Sequence, residues 1–406
     1  MRHTTTAVRK GFFMHNTDLE KQPEMQPENL KGEVETLAVR LDELDLQLAR
    51  LYARRLKLSQ EISQAKLERG DKLFDRQKDQ ERLIKMMNLG DNDFARHAMQ
   101  ELFSQMYATG RKKQYQLLSA KGSIGRLPFV AVDELDKKNV RVVFQGVEGA
   151  YSHAAMCQFF GEDVNCFHVN KWKEAMEAIA DGEADYAVLP IENSTAGIVA
   201  DNFDLMMEFE NYIVAEQVIR CEHVLMGLPG TKLEDIREVY SHPQALMQCS
   251  QFLDQHALMR QVPFSNTALA ARKVAEDGIA ERAAIGSAFA AHRFGLEILA
   301  EHIYDNEANS TRFIIVSNQR IFRKNATKIS ICFEVPHRSG ALYHILGQFI
   351  YNDVNMYRIE SRPIADKNWE YRIFVDFEGN LNQSSVKNAL MGVRTEAINL
   401  KILGNY

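Results

Sequence analysis

Several short segments set hydroxyl, amide and charged side chains beside one another at the ends of apolar runs. Pro190-Ile-Glu-Asn-Ser-Thr-Ala-Gly197 places Glu192, Asn193 and Ser194 directly after the strand-like Ala187-Val-Leu189, where open α/β sheets hold their ligands. Thr311-Arg-Phe313 stands between a polar run, Asp305 to Ser310, and the apolar Ile314-Ile-Val316. Tyr240-Ser-His-Pro-Gln244 follows another strand-like pair, and Gln248 lies one helical turn beyond Gln244. Phe144-Gln-Gly-Val-Glu-Gly-Ala-Tyr-Ser-His153 reads as strand, glycine turn and helix start, which exposes backbone N–H groups suited to an anion. Asn193, Ser194, Ser241 and Gln248 are neutral groups able to orient a substrate and stabilise developing charge. Arg312 has the planar fork that grips a carboxylate. Each segment also has a purely structural reading: a tight turn at Gly149, a helix cap with a polar loop after Pro190, a salt bridge at Arg312.

Other chemistries find less support. The five cysteines, Cys157, Cys166, Cys221, Cys249 and Cys332, are scattered without a CxxC pair to grip zinc, and read as buried thiols. The turn at Gly146 and Gly149 lacks the GxGxxG spacing of a dinucleotide loop. A net charge of −6 argues against nucleic acid as a partner. No long apolar run suggests a membrane span, and Met1 to Leu30 lacks the apolar stretch of a secretion signal, so a cytoplasmic protein is expected.

The elements that must position these residues fall into distinct textures. Residues 1–31 read as a flexible leader, in which Met14 and Met25 are alternative starts. From about Gly32, Leu37, Leu41, Leu44, Leu48, Leu51, Leu58, Ile62 and Ala65 recur in steps of four and three, the mark of one long amphipathic helix that stops at Gly70. Asp75 and the Asp91-Asn92-Asp93 cluster cap two further helices ending near Asn88 and Leu118. One helix too long for the other two to cover suggests an intertwined dimer. Residues 119–138 read as a linker. From 139 to 320 strand-like and helix-like segments alternate, which indicates an α/β domain. From 326 to 406 the order is βαββαβ, of the ferredoxin-like kind.

In this order the middle segments resemble the prephenate dehydratase family. Its markers stand here as Gly146-Val-Glu-Gly-Ala-Tyr-Ser-His153, Pro190-Ile-Glu-Asn-Ser194, Tyr240-Ser-His-Pro-Gln244, Ser265-Asn-Thr267 and Thr311-Arg-Phe313, with Asn266 where the family usually has serine. The resemblance implies a two-lobed α/β fold like the periplasmic binding proteins, with the active site in the cleft and no metal or organic cofactor. It implies that Thr311 stands at the departing hydroxyl of prephenate, in the loss of CO2 and water that gives phenylpyruvate. A threonine alone is a poor acid. Glu192 and a bound water are both candidate proton sources, and the sequence does not choose between them. A non-catalytic sensor on the same fold is the competing reading, although it would have no use for Thr311.

Two flanking resemblances complete the expectation. Ser339-Gly-Ala-Leu342 and Glu360-Ser-Arg-Pro363 resemble the phenylalanine-binding motifs of the regulatory ACT domain, implying that Gly340, Ala341, Leu342, Glu360, Ser361, Arg362 and Pro363 bind L-phenylalanine as a feedback inhibitor. Residues 32–118 resemble the all-helical chorismate mutase domain. Arg55, which interrupts the leucine seam, Lys66, Asp75 and Gln114 fall on its chorismate-binding positions, and its Arg-Glu pair is Lys78-Asp79. The family's leading Leu-Arg is Leu37-Ala38 here, and its serine before the terminal glutamine is Gly110. Loss of one arginine clamp on a dianion is worth about 1.5–3 kcal/mol, so a weakened mutase is expected, with a helical domain that only dimerises as the alternative. A homodimer or homotetramer is the expected assembly.

Overall fold

A computed structural model describes residues 27–71, 76–120, 127–364, 367 and 369–406. The chain divides into two compact units, one ending at Leu73 and one running from Phe74 to Tyr406. The first is helix α1 (Pro27–Arg69), whose 43 residues span about 65 Å. It begins ahead of the expected Gly32, because a proline is well suited to the first helical position, where the missing N–H has no partner to lose. It ends at Gly70, whose φ of +75° a residue with a side chain resists. The leucine seam lies uncovered on this chain, with Leu41 59% and Leu51 63% exposed.

The second unit opens with α2 (Arg76–Met87) and α3 (Asp93–Ala120). Asn92 caps α3, its Oδ1 accepting from Ala95 N at 2.8 Å. The segment expected to act as a linker holds a short strand, β1 (Val130–Val132).

One lobe follows as β2 (Arg141–Gln145), α4 (Tyr151–Phe160), β3 (Asn165–Val169), α5 (Trp172–Ala180), β4 (Tyr186–Asn193), β5 (Gly197–Ile198), α6 (Ala200–Glu208) and β6 (Tyr212–Arg220). Val142, Val143 and Phe144 are almost fully buried, because helices cover both faces of this sheet and leave its strands no polar side. The chain then crosses to a second lobe: β7 (His223–Gly227), β8 (Glu238–Ser241), α7 (Pro243–Met247), α8 (Ser250–Gln255), β9 (Arg260–Pro263), α9 (Thr267–Asp277), β10 (Arg282–Ser287), α10 (Ala288–Phe294) and β11 (Glu297–Ala300). Its strand order is β11-β7-β10-β8-β9. The chain returns through β12 (Ser310–Ser317), which inserts antiparallel between β4 and β6, and β13 (Ile321–Arg323), which pairs with β1.

The last domain is β14 (Lys328–Glu334), α11 (Ala341–Ile350), β15 (Met356–Pro363), β16 (Tyr371–Glu378), α12 (Ser384–Glu396) and β17 (Ile398–Asn405). Its antiparallel strands are ordered β15-β16-β14-β17. Ile329, Ile331, Phe333, Ile373, Val375 and Phe377 share one face and pack with Ile345, Phe349 and Leu390 of the helices. Cys332 and Phe374, of opposite parity, pack into the core of the first lobe. The two sheets join where β17 meets β6 in parallel at Gly404 and Ile213. A Cβ on Gly404 would lie 2.0 Å from the Ile213 carbonyl oxygen, so only glycine fits. No described helix is long and apolar enough to cross a membrane.

Candidate active site

The register of β4 on β12 decides which residues can act together. Thr311 lies opposite Asn193, and Arg312 opposite Glu192. Because side chains alternate along a strand, the first pair and the second pair face opposite sides of the sheet. Asn193 and Thr311 face a cavity of about 490 Å³ that residues of both lobes line, among them Tyr151, Cys221, His223, His242, Gln248 and Thr267.

A directed chain of hydrogen bonds runs along its wall. The Asn193 amide Nδ2 donates to Thr311 Oγ1 at 2.9 Å and to Asn309 Oδ1 at 3.0 Å. Asn193 Oδ1 accepts from Thr195 Oγ1 at 2.7 Å, and Thr195 Oγ1 accepts from Gln248 Nε2 at 2.8 Å. With its nitrogen committed to Thr195, Gln248 must present Oε1 to His223 Nε2, 3.0 Å away. The proton therefore sits on Nε2, and Nδ1 accepts from the Tyr151 hydroxyl at 3.0 Å. Burial pushes the His223 pKa below the ordinary histidine value, which suits this neutral ring, and burial raises that of Tyr151. At the far end, Thr311 Oγ1 receives the Asn193 proton and keeps its own to give. Besides the cavity, its neighbour is Cys221 Sγ at 3.2 Å, a thiol whose pKa burial raises.

No lysine or arginine is among the described residues that line the cavity. Positive potential comes instead from helix starts: Tyr151 of α4, Ala200 of α6 and Thr267 of α9 all reach its wall. Such a site can hold an anion and offer a hydroxyl proton to a departing oxygen.

Three of the seven residues expected to act on the substrate, Thr311, Asn193 and Gln248, line this cavity, and four lie outside it. Ser194 Oγ donates to Ala308 O at 3.0 Å and accepts from Ser310 N at 2.9 Å, tying two strand ends together. Ser241 is fully buried and donates to Ile285 O at 2.7 Å. Arg312 turns away from the cavity, with Nη2 2.8 Å from Glu192 Oε2, so it is not the expected fork for a substrate carboxylate. Glu192 is likewise corrected as a proton source. Burial alone would raise its pKa, but the guanidinium groups of Arg312 and Arg358 outweigh that and hold the carboxyl below its usual range, so it faces the wrong way and stays ionised. Tyr151 and Thr195 stand in the sequence only within longer polar segments and Cys221 only as a scattered thiol, and nothing there assigns them or His223 a role at a site.

Elsewhere, Gly340 takes φ +73° at the start of α11, and Gly340, Ala341 and Leu342 line a second cavity of about 500 Å³ with Trp369. Glu360, Ser361, Arg362 and Pro363 lie on the edge strand β15 and are not among its lining residues. Arg362 Nη2 instead pairs with Asp204 Oδ2 of α6 at 2.5 Å. Arg55 and Lys66 are half-buried on α1. In the second unit Lys78 is exposed, Asp79 and Gln114 are half-buried, and Asp79 pairs with Arg111 at 3.4 Å. Asp75 lies outside the described residues.

Comparison with known proteins places two family models on the chain: prephenate dehydratase over residues 142–321 and chorismate mutase type II over 37–115. A bifunctional chorismate mutase/prephenate dehydratase of Stutzerimonas stutzeri is 30% identical over 380 residues, covering 92% of this chain and 97% of that protein. Arogenate dehydratase/prephenate dehydratase 1, chloroplastic, of Arabidopsis thaliana is 36% identical over 67% of this chain and 73% of its own length. The crystal structure of prephenate dehydratase in complex with L-Phe from Arthrobacter aurescens matches with TM-score 0.61 at 34% identity, covering 66% of this chain and 89% of that one.

Proposed function

This chain belongs to the bifunctional chorismate mutase/prephenate dehydratase family, and we propose that its dehydratase step takes place in the cavity between the lobes with Thr311 as the proton donor. Prephenate enters as a dianion and is held by helix N-termini and neutral amides. The bond from the ring to its carboxylate breaks, its electron pair moves into the ring, and the ring hydroxyl leaves from the opposite carbon. Aromatisation drives the step. The Thr311 hydroxyl supplies the proton that turns departing hydroxide into water and is itself reprotonated from solvent, so the net reaction takes up one proton and the products are phenylpyruvate, CO2 and water. Accepting from Asn193 makes that hydroxyl a better donor, since hydrogen bonds in a chain polarise one another. The observation that carries this reading is the 2.9 Å bond from Asn193 to Thr311 in the wall of the cavity. Incubating purified protein with prephenate and following phenylpyruvate absorbance tests it, and no product at micromolar enzyme would overturn it.

The mutase, by this proposal, is a weakened one, because Ala38 stands where the family pattern has arginine. The C-terminal βαββαβ domain acts as an ACT domain that binds L-phenylalanine at Gly340 to Leu342 and restrains the dehydratase. Support comes from its strand order and from the L-Phe complex of the Arthrobacter aurescens protein. The uncovered leucines of α1 favour a homodimer, in which a partner's helix buries them.

A further inference from the structure

On the side of the sheet away from the cavity, a single guanidinium touches three strands. Arg312 on β12 lies 2.8 Å from Glu192 of β4, 3.3 Å from Glu216 of β6 and 3.5 Å from Asp376 of β16. Arg358 of β15 reaches the same Glu192 at 3.1 Å and the same Asp376 at 3.5 Å. Asp376 also accepts from Ser330 Oγ of β14, which shares a hydrogen bond with the Tyr406 hydroxyl at 2.8 Å. Its centre is shielded, with the side chains of Arg312 and Asp376 15% and 8% exposed, while Glu216 and Glu192 at its rim are 27% and 35% exposed. Two charged groups in such surroundings hold each other in place far more firmly than a surface pair does. In the chain, Arg312 directly follows Thr311 and Glu192 directly precedes Asn193. The contacts to the C-terminal sheet are therefore made by residues one peptide unit away from Thr311 and from Asn193, which donates to it.

We propose that Arg312 is a positioning residue for the dehydratase step: it holds β4 and β12 in the register that aligns Asn193 with Thr311, and Asp376 and Arg358 make that register answer to the C-terminal domain. The regulatory half of this rests on phenylalanine binding to that domain; the positioning half does not. The two halves are separable by experiment.

The test uses the full-length chain. Arg312→Met should lower kcat by about 10- to 100-fold with KM within about 3-fold, since a small misplacement of reacting groups slows chemistry more than binding. Arg312→Lys, which keeps the charge but loses the fork, should recover part of the loss. If Arg312→Met does not fold, Glu192→Gln, which weakens the same clamp while Glu216 and Asp376 still face Arg312, should show the same split between kcat and KM. Unchanged kcat, or a loss confined to KM, overturns the positioning role. Asp376→Asn should keep kcat within about 3-fold while raising the phenylalanine concentration for half-inhibition by about 5-fold or more, within the usual range of coupling. Phenylalanine binding, read directly from the fluorescence of Trp369 in the second cavity, should be unaltered. Inhibition at the wild-type concentration in Asp376→Asn overturns the coupling. If the wild-type chain itself neither binds nor responds to phenylalanine, the ACT reading fails, and the Arg312 kinetics still decide the positioning role.

Discussion

Replacing Thr311 by valine removes one hydroxyl and almost no volume, and its consequences can be worked out separately for folding and for rate. Asn193 Nδ2 loses one acceptor but keeps Asn309 Oδ1 at 3.0 Å and Ser310 O at 3.3 Å, so no buried donor is stranded. The loss of stability should stay near 1 kcal/mol, the net worth of an ordinary hydrogen bond. Catalysis should suffer far more. A positioned proton donor contributes about 10²- to 10⁴-fold, and among the described residues no other hydroxyl bonds directly to Asn193 Nδ2. Because the hydroxyl acts on charge that appears only as the C–O bond breaks, kcat and kcat/KM should fall together, with KM within about 3-fold. Thr311→Ser keeps the donor and should stay within about tenfold of wild type. The assay is phenylpyruvate absorbance over a range of prephenate concentrations, with circular dichroism to show that each variant is folded. A folded Thr311→Val protein with kcat within about 3-fold of wild type would refute the assignment, because a general acid cannot be lost so cheaply.

Three further predictions follow from separate parts of the chain. Ala38→Arg supplies the arginine that the family's leading Leu-Arg pattern implies at this position and should raise chorismate turnover about 10- to 100-fold; a parent that already works at an ordinary enzymatic rate would contradict the weakening. Gly404→Ala forces a methyl group into the Ile213 carbonyl and should destabilise the second unit by about 1–3 kcal/mol or more, seen as a lower melting temperature; an unchanged melt would show that the junction of the two sheets gives way easily. His223 has a folded pKa below its unfolded value of about 6.5, so the unfolded chain takes up the proton first as pH falls. Its stabilising contribution is whole above that value and is lost as pH drops through the folded pKa, so His223→Gln should flatten the fall in melting temperature between about pH 7.5 and 5, and parallel curves would contradict it.

Periodicity made the long helix, the alternating middle domain and the βαββαβ order legible, because in each the apolar spacing is set by which faces are covered. What spacing could not reveal is the parity of a strand at its end. Glu192 and Asn193 are both polar, as are Thr311 and Arg312, and only the register of β4 against β12 decides which of each pair meets the cavity. Ser241 illustrates the same limit: a hydroxyl after a strand, expected at a ligand, is turned inward to a neighbouring carbonyl. Tyr151 and His223 are 72 residues apart in the chain and meet only because the chain crosses between lobes at Cys221. A signal for His223 existed in its place at the start of β7, immediately after the crossing, but nothing local marks a histidine there as part of a site. The motif marks Arg362 as a ligand-binding group, and the structure pairs it with a carboxylate of α6.

The most direct measurement is the structure of the Thr311→Val variant with prephenate bound. The ring hydroxyl should lie in the cavity between the lobes, within about 4 Å of the residue 311 side chain, a position a threonine hydroxyl would bridge by hydrogen bond. Prephenate seated on the Glu192 and Arg312 side of the sheet, or a cavity left empty at saturating ligand, would contradict the assignment of Thr311 as the proton donor.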